Sequence, residues 1–116
     1  MVHDVFLADC PARTTLELIA NRWSVVVIYG LGHEPMRFGE LQERIGGISP
    51  KSLTEALHRL AGNGLVERVE GRWTLTALGI TLLEPISALA RWAEQNTERL
   101  LDGRSDEDLQ LGARTA

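Results

Sequence analysis

The run Ile48-Ser49-Pro50-Lys51-Ser52-Leu53-Thr54-Glu55-Ala56-Leu57-His58-Arg59-Leu60 constrains this chain most, because its start, its buried side and its end can all be read locally. Ser49 is placed to cap the first free N–H groups, Pro50 suits the first helical turn, and Asn63-Gly64 supplies the stop. Leu53, Leu57 and Leu60, with Ala56, recur at helical spacing and predict one buried stripe. Lys51, Ser52, Glu55, His58 and Arg59 are then expected to face away from the core. A helix of this kind fits a DNA major groove, and it equally fits an ordinary solvated surface. The elements around it decide between the two.

Upstream, Cys10-Pro11 opens a helical pattern with Leu16, Ile19, Ala20 and Trp23 on one side. The apolar run Val25 to Leu31 continues as a buried helix and stops at Gly32-His33-Glu34-Pro35. Phe38, Leu41 and Ile45 space a short helix that Gly46-Gly47 ends, and a connection of three or four residues leads to the Ser49 cap. Such a tight joint is that of a helix-turn-helix.

Downstream, Leu65 to Glu70 and Arg72 to Thr76 read as two short strands joined at Glu70-Gly71. That loop sets Val66 opposite Leu75 and Arg68 opposite Trp73, where the guanidinium can stack on the indole or the pair can simply pack the hairpin. From Thr76 one long helix carries Leu78, Leu82, Ile86, Leu89 and Ala93, kinked rather than ended by Pro85. Its apolar side outreaches a small core and predicts a partner helix, most simply in a homodimer. The order is mainly α with a small β-hairpin wing, a winged helix-turn-helix over residues 1–102 with helical dimerisation elements at both termini. Residues 103–116, with Asp106, Glu107 and Asp108, are expected to form a flexible acidic tail.

Charge bears on the choice of partner. The chain of 116 residues has a formal charge of −4, which by itself opposes nucleic acid. The acidity lies at the ends, however: residues 35–75 hold six basic and five acidic side chains. No apolar run approaches a membrane span, no signal peptide is recognisable, and a single cysteine excludes an internal disulfide, so a cytoplasmic protein without membrane contact is expected.

The sequence also resembles the HxlR-type transcriptional regulators, which are related to MarR-type proteins. The resemblance spans roughly residues 8–98 and rests on Cys10-Pro11, Asn21-Arg22-Trp23, Arg37-Phe38-Gly39-Glu40-Leu41 and Gly47-Ile48-Ser49-Pro50-Lys51. It continues through Leu53-Thr54, Asn63-Gly64-Leu65-Val66-Glu67-Arg68, Leu75-Thr76 with Gly79, and Trp92. It implies a dimeric bacterial DNA-binding regulator with a wing that touches the minor groove. Two departures imply weaker or differently aimed contact: the wing turns after very few residues, and Ala56 stands where the family tends to carry arginine. The family also includes regulators that sense oxidants or electrophiles through a cysteine at the position of Cys10.

Helix-turn-helix docking brings the start of the second helix nearest to base edges. Lys51 can donate to guanine, Ser52 and Thr54 can donate, accept or touch a thymine methyl, and Glu55 can accept from cytosine N4. His58, Arg59, Arg37, Arg68 and Arg72 are phosphate candidates, and Ser49 at the cap completes the DNA-binding set. Cys10 is a candidate redox sensor because a thiolate is favoured at a helix N-terminus; a small buried packing residue is the alternative.

No phosphate-cradling glycine loop, metal-ligand spacing or nucleophile with a base is present, so neither enzyme activity nor a cofactor is expected. His3, His33 and His58 are scattered, and His33-Glu34 lacks a second histidine at metal-binding spacing. A small-molecule effector has a candidate place between dimer helices, where Trp23 and Trp92 can line an apolar cavity, core packing of those rings being the alternative, and an electrophile effector has its candidate place at Cys10. The reading is therefore a homodimeric DNA-binding regulator that reads a palindromic operator with the helix from about Pro50 to Gly62. The alternatives are a winged-helix protein–protein module and an effector-binding dimer with weak DNA affinity.

Overall fold

The computed structural model describes residues 4–32 and 34–115, the side chains as far as Gly103. His3 and His33 lie outside the described residues, as do the acidic side chains assigned to a tail. Among the described residues, six helices and two strands follow one another: α1 (Pro11–Ile19), α2 (Ser24–Leu31), α3 (Phe38–Ile45), α4 (Pro50–Gly62), β1 (Val66–Val69), β2 (Arg72–Leu75), α5 (Ala77–Ile80) and α6 (Leu83–Thr115). Met1–Glu84 form one compact unit and Pro85–Ala116 a second. No helix of the described residues is long and apolar enough to cross a membrane.

The first unit is built around α2. Val27, Ile28 and Leu31 are buried where α2 meets α3 and α4, against the buried stripe of Leu53, Ala56, Leu57 and Leu60. Full burial of each leucine stabilises the fold by roughly 1.5–3 kcal/mol, so this stripe sets the position of α4. The valine run is helical, as its continuation of a helical pattern predicts. Asn21 breaks the chain between α1 and α2 by accepting the Trp23 N–H on Oδ1 at 3.2 Å. Gly46 and Gly47, at φ 67° and 71°, turn the chain between α3 and α4, and buried Ile48 pins that joint to the core.

The hairpin has the register expected from a two-residue loop: Val66 opposite Leu75, Glu67 opposite Thr74, Arg68 opposite Trp73 and Val69 opposite Arg72. Glu70 and Gly71 both take positive φ, 52° and 78°, the pattern of the mirror-image turn that matches strand twist. A third extended segment joins the sheet at one point, where Met36 pairs with Trp73.

Three expectations change downstream. The long helix from Thr76 is two helices, because Thr76 Oγ1 caps a short first one by accepting the Gly79 N–H at 3.0 Å, and Thr81 and Leu82 separate it from α6. Pro85 is the third residue of α6 and produces no mid-helix kink: first-turn amides lack helical acceptors, so its missing N–H removes no bond. Helix also continues past Gly103 to Thr115, the stretch expected to form a tail, although Gly103 and Gly112 each cost a helix about 1 kcal/mol. On α6, Leu89, Trp92 and Leu100 are exposed.

Candidate nucleic-acid interface

Ser49 accepts the Ser52 N–H on Oγ at 3.0 Å, and Pro50 follows as the first helical residue, so α4 begins where its sequence predicts. With the leucine stripe turned inward, Lys51, Thr54, Glu55 and His58 are exposed along the opposite side, and Ser52 is half-buried. Pro50 starts the helix at the tight joint, so Lys51, Thr54 and Glu55 lie in its first half and His58 lies further along.

The wing faces that edge across a cleft of about 270 Å³ whose walls include Thr54 and His58 from α4, Arg68 from β1 and Trp73 from β2. Phe38 of α3 also lines it. Arg37, the N-cap of α3, brings its Nη1 within 3.7 Å of the point a Cβ on Gly71 would occupy, so its guanidinium lies beside the wing turn. Its backbone N–H donates to Glu40 Oε1 at 3.0 Å, one half of a capping box, since arginine has no acceptor for the other half. Thr54, His58, Arg68 and Arg37 are therefore gathered around one concave surface.

Arg72 is not in that cluster. Side chains alternate across a strand, and Arg72 pairs with Val69 on the face opposite to the Arg68–Trp73 pair. Nor does Arg68 stack on its neighbour: among the described residues, the arginine lying over a ring is Arg22, 4.7 Å from the Trp23 centroid.

Arg59 turns the other way. Its Nη2 donates to Asn21 Oδ1 at 3.0 Å and to Ser24 Oγ at 3.2 Å, which corrects the expectation that it faces away from the core. Arg59 lies three residues after buried Ala56, at the border of the stripe, and its long stem reaches over that border to the corner between α1 and α2. Periodicity assigns a border residue to either side; only the acceptors at the α1–α2 corner and at the start of α2 settle it.

Ala56 is itself 0% exposed. A longer side chain there would meet the core, so the absence of an arginine removes nothing from the exposed edge. The N-cap of α1 is Cys10, with Pro11 as first helical residue, and the thiol is buried at 6% exposure. Trp23 is half-buried beneath Arg22, whereas Trp92 is exposed on α6 beside Asn96, Arg99 and Leu100. The feature that sequence reasoning missed is the Met36–Trp73 pair, because one bridging residue has no period to detect.

Known proteins share this arrangement. The chain is similar to the HTH-type transcriptional regulator YtfH of Escherichia coli (strain K12), 32% identical over 110 residues covering 89% of this chain and 87% of that protein. Its fold matches the transcriptional regulator ytfH from Salmonella typhimurium with a TM-score of 0.79 at 31% identity, over 90% of this chain and 99% of that one. The quinone-bound YodB from B. subtilis matches with a TM-score of 0.66 at 36% identity, over 72% and 96% respectively. The fold is thus that of winged helix-turn-helix transcriptional regulators. With the HxlR-like helix-turn-helix model matching residues 18–100, the chain belongs to that family of DNA-binding transcriptional regulators.

Proposed function

We propose that this protein is a homodimer that holds a pseudo-palindromic operator, placing one α4 in the major groove of each half-site. The observation that carries this reading is the exposed edge of Lys51, Thr54, Glu55 and His58 set beside Arg68 across an open cleft. Lys51 and Glu55 read base edges, with Thr54 and half-buried Ser52 beside them, while His58, Arg37 and Arg68 meet phosphates. The Ser49 hydroxyl keeps a hydrogen to donate while its oxygen caps the helix. Arg72, on the outer face of the wing, reaches phosphate only from that side.

Exposed apolar side chains on the terminal helices, Leu16 on α1 and Leu89, Trp92 and Leu100 on α6, favour the homodimer. Two-fold symmetry then spaces the half-sites about 34–36 Å apart, or a multiple of that. The test is a fluorescence-anisotropy titration of the duplex upstream of the protein's own gene, across a range of salt, with the oligomeric state measured in parallel. A steep loss of affinity with rising salt is expected. A folded dimer that binds no duplex at low salt would overturn the reading and favour the protein–protein module, which the −4 charge fits.

A second reading concerns input. Similarity to a quinone-bound regulator, together with Cys10 at the N-cap of α1, favours an electrophile signal received at that thiol. Burial requires the segment to open first, so reaction with a quinone should be slow, should weaken operator binding, and should do neither in Cys10→Ser. Equal sensitivity of Cys10→Ser would rule the thiol out.

A further inference from the structure

We infer that Arg59 is a positioning residue, which holds the recognition helix at its reading angle from behind and makes no contact with nucleic acid. This rests on the DNA-binding reading above and assigns Arg59 a different task from the one its charge and helix predict. Its Nη2 is shared between Asn21 Oδ1, 38 residues away in sequence, and Ser24 Oγ, 35 residues away. Asn21 Oδ1 also accepts the Trp23 N–H, so a single carboxamide oxygen forms the α1–α2 corner and anchors α4 to it. Ser24, the first residue of α2, is 0% exposed. The backbone carbonyl of Arg59 accepts the Asn63 Nδ2–H at 2.7 Å, which ties the same residue to the end of α4.

The cost of the arrangement argues for a geometric role. Arg59 Nε is buried without an acceptor, an unfavourable state that an apolar side chain of similar length would avoid. A flexible hydrocarbon would fill the space but would fix no direction. Lys51 lies about 12 Å along the helix from Arg59, so a tilt of about 10° about the anchor moves it by about 2 Å. That displacement exceeds what a hydrogen bond to a base edge tolerates.

The test separates positioning from phosphate contact by the salt dependence of binding. Operator affinity is titrated between about 50 and 200 mM salt for the full-length protein and for Arg59→Met, Arg59→Lys, Ser24→Ala and Lys51→Ala. Arg59→Met should weaken binding about tenfold at every salt concentration, with an unchanged slope. Arg59→Lys should behave in the same way, because one ammonium does not reproduce the guanidinium fork. Ser24→Ala, which alters no side chain of the exposed edge, should weaken binding about threefold, and combining it with Arg59→Met should add nothing further. Lys51→Ala should flatten the slope by about 1. If Arg59→Met fails to fold, Ser24→Ala and Asn21→Ala carry the test, read at a temperature where far-ultraviolet circular dichroism shows them folded.

A flattened slope in Arg59→Met, rescue by lysine, or wild-type affinity in Ser24→Ala would overturn the inference while leaving DNA binding intact. Failure of the wild type to bind any duplex at low salt would instead overturn the DNA-binding reading, and this inference with it.

Discussion

Met36 and Trp73 exchange both backbone hydrogen bonds, Met36 N–H to the Trp73 carbonyl at 2.9 Å and Trp73 N–H to the Met36 carbonyl at 2.7 Å. Met36 precedes α3 and Trp73 lies in the wing, so this pair fixes the wing to the helix-turn-helix. An isolated two-stranded hairpin is marginal in water, and the third segment supplies the support that it lacks. The cleft between α4 and the wing consequently has a defined width.

That relationship predicts slow amide hydrogen exchange at both residues. The Met36 and Trp73 amides should exchange at least about a hundredfold more slowly than those of Glu70 and Gly71 at the turn, measured by NMR. Exchange at Trp73 as fast as at the turn would show that the wing detaches from the body.

Gly79 of α5 is buried against the backbone of Leu65, just before β1. A Cβ there would lie 2.1 Å from the Leu65 carbonyl oxygen, which is backbone and itself accepts the Thr76 N–H. Gly79→Ala should therefore destabilise the protein by at least about 2 kcal/mol in urea unfolding, despite the higher helix propensity of alanine. Stability equal to wild type would show that this contact is looser than its geometry.

Glu70 holds φ at 52°, a conformation that asparagine and glycine adopt more readily. Glu70→Asn, which creates the favoured Asn-Gly turn, should stabilise the fold by about 0.5 kcal/mol. Thermal unfolding in moderate salt should show a rise in midpoint, and a fall would mean that the Glu70 side chain supports the wing.

Replacement of a cation proposed to meet phosphate should change both affinity and its salt dependence. Arg68→Ala, at the cleft, should weaken every duplex to a similar degree and lower the salt slope by about 1. Glu55→Ala should instead alter preference among operator variants by about 1–3 kcal/mol at one position while the slope holds. Competition titrations with single-base variants distinguish the two patterns.

Local chemistry in the sequence by itself determined the caps, the stripe and the hairpin. Ser49 and Ser52 are three residues apart, Leu53, Leu57 and Leu60 need only helical spacing, and Glu70-Gly71 sets the register of four residues on either side. Each depends on neighbours within a few positions, which sequence displays directly. Only the tertiary structure decided where border residues point and which segments meet. Arg59 has the composition of a DNA contact, yet acceptors 35 and 38 residues away draw it inward. Met36 joins the wing through backbone groups that every residue possesses, and Arg68 and Arg72 divide between the two faces of one hairpin. Such outcomes depend on partners brought close by folding, and no periodicity along the chain records them.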